Sequence, residues 1–155
     1  MTEPSLLRAA LRVAQQARDN GNHPFGAILV DDGGTILLEA ENTVVTERDV
    51  TGHAELNLVR LASQQFDRAR LAGCTLYTST EPCAMCAGAI FWSQIGRVVY
   101  GLSEENFLKI ISRESADAFL FLPCREVFAR GGRPTEVVGP YLEEEASQVH
   151  AGFWR

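Results

Sequence analysis

From residue 74 onward, short runs of strand length alternate with stretches of helical periodicity, and this alternation restricts the fold more than any other feature of the chain. Cys74–Ser79 is rich in β-formers, Pro82–Ser93 reads as a helix opened by proline, and Arg97–Gly101 is an apolar strand. Glu104–Phe119 reads as a further helix and Val127–Phe128 as a short helical turn stopped by Gly131-Gly132. Thr135–Val138 is a last strand and Leu142–Gly152 a closing helix. Strands joined through helices pair in parallel, because the crossover returns the chain to the same end of the sheet. The first half adds an amphipathic helix, Pro4–Asp19, with Leu7, Leu11 and Ala14 on one stripe and Asn20-Gly21 as its stop. Phe25–Val30 and Thr35–Glu41 flank Asp31-Asp32-Gly33-Gly34 in a β-hairpin pattern, and Gly52–Phe66 is helical. A hairpin followed by strand-helix-strand-helix-strand predicts an α/β protein. The expected architecture is a three-layer α/β/α sandwich around a five-stranded mixed sheet, in one domain over residues 1–155.

Composition removes several classes. A hydrophobic content of 46% excludes a disordered chain, and a chain of this length buries enough surface to fold without disulfides. No uncharged apolar run approaches the roughly 18 residues of a membrane span. Arginines break the opening stretch Met1–Asp19, so it does not read as a signal peptide. With 14 Lys+Arg against 20 Asp+Glu, the net charge of −6 argues against binding nucleic acid through bulk charge. Four cysteines are too few to staple a scaffold. Without a secretion signal they read as reduced thiols in a cytoplasmic protein. Cys74 and Cys124, each among apolar neighbours, read as core residues.

The other two cysteines carry chemistry. Cys83 and Cys86 stand at i and i+3 just after Pro82, so they share a face at a helix start. There the unpaired N–H groups and the helix dipole favour thiolates, and thiolates with an imidazole make a zinc ligand set. His53 and Glu55 are two residues apart, roughly 200° around a helix. They can address one site only from a helix start, which Thr51-Gly52 supplies. Singly, each element is weak. A C-x-x-C serves metal, redox or structural ends, a lone histidine is commonly structural, and a lone glutamate is a solvated helix residue. Together, the order H-x-E followed by P-C-x-x-C is recognised as the zinc deaminase signature.

The chain resembles the cytidine-deaminase-like superfamily over nearly its whole length. The resemblance runs through Pro24-Phe25-Gly26-Ala27, Asn42, Gly52-His53-Ala54-Glu55, the stretch Thr78–Ile90 and Trp92. It looks most like the branch that holds guanine, cytosine and tRNA adenosine deaminases. The resemblance implies one Zn²⁺ per chain on His53, Cys83 and Cys86 with water as fourth ligand, Glu55 as proton shuttle, and Asn42 gripping the base. It also implies a homodimer. One departure is Gly52, which stands where the family usually has alanine. The implied reaction is hydrolytic attack on an amino-bearing ring carbon with release of ammonia. The backbone N–H groups of Cys83 and Ala54 are candidates to hold the attacking oxygen and the substrate.

Phe25, Trp92 and Phe107 are candidates for stacking on a base, and each also reads as a core residue. His23 is a candidate polar wall. Glu114 and Asp117 lie where related guanine deaminases carry an acidic residue that reads the purine's amino edge, or are simply solvated. Phe153 and Trp154 read either as a lid that excludes water or as a seal of the last helix onto the core. A small nucleobase or nucleoside is favoured over tRNA as partner. Glu143-Glu144-Glu145 open the last helix and Lys109 is the one lysine, although Arg97, Arg125, Arg130 and Arg133 could cluster. A non-catalytic zinc scaffold or a thiol redox protein is the remaining reading. It needs a fourth ligand such as Cys74, Cys124 or His23, and leaves Glu55 unexplained.

Overall fold

A computed structural model describes residues 2–154. The strand β1 (Gly26–Val30) pairs antiparallel with β2 (Ile36–Glu41) on one side and with β3 (Thr75–Thr80) on the other. Next to β3, β4 (Arg97–Leu102) and β5 (Glu136–Val138) continue in parallel, so the five-stranded sheet has the order β2-β1-β3-β4-β5. Asp31 closes the hairpin loop: its Oδ1 accepts the N–H groups of Gly33 at 3.0 Å and Thr35 at 2.8 Å, the aspartate turn chemistry that the loop composition implies.

Period-two alternation divides the core between the two faces of the sheet. Ala27, Leu29, Leu76, Val98 and Tyr100 face a layer made by α2 (Ala54–Gln65), α4 (Ala84–Ser93) and α7 (Cys124–Ala129). Ile28, Val30, Tyr77 and Val99 face α1 (Glu3–Asp19). Beside α1 lies α8 (Glu143–Gln148), tied to it by a 2.8 Å Arg8–Glu145 ion pair. The layers are thus helix, sheet, helix, and each fully buried Leu or Ile contributes about 1.5–3 kcal/mol. Helix α1 approaches β1 very closely at Gly26. A Cβ there would stand 2.3 Å from the Ala14 backbone nitrogen, and the Gly26 N–H donates to Ser79 Oγ at 3.1 Å.

Four elements differ from the sequence reading. The expected helix Glu104–Phe119 is two, α5 (Glu104–Ile110) and α6 (Arg113–Asp117). Ile111 is extended and buried, and the Ser112 side chain caps α6 by accepting the Ser115 N–H, so burial and a cap outweigh continuous helical periodicity. A short helix, α3 (Arg68–Ala72), occupies a stretch with no expected element, its start fixed by Asp67 accepting the Arg70 N–H at 2.8 Å. The helix expected from Gly52 begins at Ala54. The closing helix ends at Gln148, after which the chain turns through Gly152 at φ +71°. Cys74 and Cys124 are core residues, 2% and 0% exposed.

Candidate active site

The site lies where α2 and α4 begin above the end of β3. Gly52 brings the chain there by close approach, since a Cβ would stand 2.8 Å from Thr43 Oγ1. The loop between β2 and α2 is closed by the Thr43 N–H on the Gly52 carbonyl at 2.8 Å. Asn57 Nδ2 adds donations to Glu41 O and Thr43 Oγ1, both at 3.0 Å. His53 is then the N-cap of α2 and Cys83 the N-cap of α4, both in extended backbone and neither using its side chain to cap. An N-cap side chain ordinarily satisfies the helix's first N–H groups. Here both side chains are left for another partner, and they face each other.

Cys83 Sγ is 3.5 Å and Cys86 Sγ 3.6 Å from His53 Nδ1, and the three donor atoms lie within 4.8 Å of one another. Tetrahedral Zn²⁺ with Zn–S near 2.3 Å and Zn–N near 2.05 Å requires an S···N edge of about 3.6 Å. The donor set and its spacing therefore fit zinc, and His53, Cys83 and Cys86 form a potential zinc site. Among the described residues no fourth side chain joins the cluster, so the coordination is open on one side. The neighbouring Cys86 thiol, and then His53, hold Cys83 down to about 4 against its burial. In return, the bond to Cys83 raises both Cys86 and His53.

Glu55, one turn-step inside α2, is 5% exposed. Its Oε1 accepts the Thr78 hydroxyl at 2.6 Å, and burial raises its pKa more than that bond lowers it. Beside it, Glu81 ties the metal-binding turn to the elements that follow. Its two carboxylate oxygens accept the N–H groups of Glu104 at 3.0 Å and Cys124 at 2.9 Å. Glu104 is itself buried, and burial, then the nearby Glu81 charge, pushes its carboxyl up to about 8.

A cavity of about 260 Å³ opens over these groups. Its floor is His53, Glu55, Thr80, Glu81 and Cys83, with Asn42 at one side. Asn42 is 1% exposed and its Oδ1 accepts the Val44 N–H at 3.0 Å, which leaves the Nδ2 donor for a ligand. The upper wall is aromatic. Trp154 lies 5.3 Å from His23, 6.1 Å from Phe25 and 5.5 Å from Phe107, centroid to centroid, with Phe119 behind Phe107 at 5.6 Å.

Of the residues singled out in the sequence, the cavity brings together His23, Phe25, Asn42, His53, Glu55, Cys83, Phe107 and Trp154, with Cys86 just beneath. Ala54 is fully buried as the first residue of α2, where its N–H is one of the helix's unpaired donors. Trp92 does not join them. The inner face of α4 is occupied by Cys86, Ala87, Ile90 and Ser93, which turns Trp92 outward to 76% exposure. Glu114 and Asp117 are also outside and exposed, because Ser115 of α6 and the following Ala118 and Phe119 line the cavity instead. Phe153 stands one layer back, against His23 at 6.0 Å and Trp154 at 4.8 Å. Sequence reasoning assigned no role to Thr78, Thr80, Ile111, Phe119 or His150. The run Thr78-Ser79-Thr80, three hydroxyls on a strand leading into the cysteine motif, was the available signal.

Comparison with known proteins agrees with this arrangement. Residues 2–102 match the model of the cytidine and deoxycytidylate deaminase zinc-binding region. The chain is 49% identical over 148 residues to a probable cytosine deaminase of Schizosaccharomyces pombe, covering 96% of this chain and 90% of that protein. It is 36% identical to the tRNA-specific adenosine deaminase of Haemophilus influenzae, covering 99% and 83%. In structure it superposes on the guanine deaminase of Nitrosomonas europaea with a TM-score of 0.78, covering 96% and 82% at 23% identity, a likeness of fold. The chain belongs to the zinc-binding cytidine and deoxycytidylate deaminase family.

Proposed function

We propose that the chain is a hydrolytic deaminase of a free nucleobase with a cytosine-type amino group. The observation that carries this reading is the aromatic closure of the cavity by Trp154, His23 and Phe107. About 260 Å³ beneath a tryptophan suits a flat single base and lies below the usual range for larger ligands. A folded RNA would have to displace the C-terminal segment to reach Glu55. The relationship to the probable cytosine deaminase supports the same reading, and the related tRNA deaminase makes an anticodon substrate the alternative.

Zinc bound at the three donors supplies a water activated near neutral pH. The rest falls to the chain. Thr78 holds one oxygen of Glu55, whose carboxylate lines the cavity, where it takes a proton from the attacking water and delivers protons to the ring nitrogen and the leaving amine. Asn42 Nδ2 donates to a ring carbonyl or ring nitrogen and sets the base's rotation. The Ala54 and Cys83 N–H groups, at two helix starts, stabilise negative charge on oxygen. Phe107 and Trp154 cover the faces of the base and exclude bulk water.

The 155 residues act as one catalytic unit. Two copies pair through the exposed side of α4 carrying Trp92, and light scattering should give twice the 17.0 kDa chain mass. Four free cysteines support a reducing, cytoplasmic setting. The central experiment measures ammonia released from cytosine, isocytosine, guanine, adenine, their nucleosides and an anticodon stem-loop. Turnover of a free base, with nucleosides and RNA at least tenfold poorer in kcat/KM, is the expected outcome. Inosine formed in the stem-loop, with no base turned over, overturns the reading.

A further inference from the structure

The segment after α8 is fixed at two points, neither of which lines the cavity. Arg18, in the last turn of α1, donates from Nη1 to the carbonyls of Val149 at 2.8 Å and Ala151 at 2.7 Å, and its guanidinium sits 5.5 Å from the Phe153 ring centroid. His150 is 1% exposed and accepts the Trp154 indole N–H on Nδ1 at 3.0 Å. The two rings are stacked at 26°. With Nδ1 accepting, the imidazole proton resides on Nε2, which is buried without a partner.

A buried histidine with an orphaned N–H is costly wherever apolar packing would serve. Burial and the Arg18 charge keep this one neutral, as an acceptor must be. Both anchors precede Gly152, whose φ of +71° turns the chain so that Trp154 comes back onto His150. What both restrain is the indole that closes the cavity.

We propose that Arg18 and His150 are positioning residues for Trp154. Arg18 latches the backbone of residues 149–151, His150 sets the rotation of the indole, and together they determine how tightly the closed cavity holds a base. The kinetic half of this inference rests on the free-base reading, whereas the structural half rests on the placement of Trp154 alone.

The test uses the full zinc-loaded chain. It contains two tryptophans, so Trp92→Phe leaves Trp154 as the one indole reporter. In that background Arg18→Met should red-shift the emission, raise acrylamide quenching about threefold and raise KM about tenfold, the loss expected from charge-assisted bonds. Because the interaction binds ground state and transition state alike, kcat should stay within about twofold. Zinc content should not move, and Arg18→Lys should recover part of the shielding. His150→Phe, which keeps a ring but removes the acceptor, should raise KM about threefold with the same spectroscopic change. An indole that stays shielded in Arg18→Met, with KM unchanged, overturns the proposal even if the buried His150 variant fails to fold. An indole exposed by Arg18→Met in a protein whose parent turns over no free base supports the latch and sinks the free-base reading instead.

Discussion

The floor of the cavity hangs from the sheet: His53 and Cys83 occupy helix starts set by β3 and by the loop closed at Thr43 and Gly52, and Glu55 is held by a hydroxyl from β3 itself. The upper wall hangs from short pieces, α5, α6 and the turn after α8, fastened to one another by ring contacts and to α1 by Arg18. The floor is polar, and its groups define each other's charge, as the Cys83–Cys86–His53 cluster does. The upper wall is largely aromatic, and the buried imidazole behind it, His150, is kept neutral. On the proposed reading, chemistry belongs to the polar floor and selectivity to the aromatic wall. Mutations in the two halves should separate kcat from KM.

The largest effect should follow from Cys83→Ala. Removing one of three ligands should abolish both zinc binding and turnover, while the shielding of Trp154 persists. Metal analysis finding zinc bound as tightly as in the parent would break the floor assignment. Next, Glu55→Gln should retain zinc and lose about 10²–10⁴-fold in kcat. A kcat within a few-fold of the parent would remove Glu55 from proton transfer.

The third effect concerns acid. In the unfolded chain an imidazole takes its proton near 6.5, whereas folded His150 resists it down to about 4. Between those values the unfolded state binds more protons, so stability falls as pH falls, by roughly 2 kcal/mol from pH 6.5 to pH 5. Glu104 has the opposite sign. Its folded carboxyl keeps a proton up to about 8, so its contribution is lost as pH rises from about 4.5 toward 8. Denaturant titrations of the parent and His150→Phe should diverge below pH 6.5, and parallel curves would show that the upper wall does not depend on a neutral imidazole. The smallest effect is expected from Trp154→Ala: KM for the base should rise about tenfold, with zinc content intact and kcat changed less. An equal fall in kcat and kcat/KM would instead assign the indole to the transition state.

The same division governs what could be read without coordinates. The floor was legible because its chemistry needs fixed residue types at fixed spacing: two cysteines three apart, and a histidine and glutamate that share a site only at a helix start. The sheet followed from the alternation of strands and helices. The upper wall was legible only in part. Phe25, Phe107 and Trp154 are lining residues, but an aromatic side chain carries no spacing rule that tells lining from core or surface, and Trp92, grouped with them in sequence, lies on the outer face of α4. Glu114 and Asp117 read in sequence as part of one continuous helix, whereas the break at Ile111 and Ser112 changes the phase of the following residues, so that Ser115 and Phe119 border the cavity. The link from His150 to Trp154 depends on the turn at Gly152, which ends a helix that periodicity alone would have extended.

Gly26 bears on how such a chain can change over generations. The backbones of α1 and β1 touch there with no space for a methyl group, next in sequence to Phe25 on the cavity wall, and on the helix that carries Arg18. On the proposed latch, a side chain at residue 26 that pushes α1 outward carries the Arg18 anchor with it, so substitutions at this buried position should cost ligand retention as well as folding. Libraries built to alter substrate preference should therefore hold residue 26 constant and vary residues 107, 119 and 154. The lineage most open to a new base is one that reshapes its aromatic wall while leaving this contact, and the metal-binding floor, untouched.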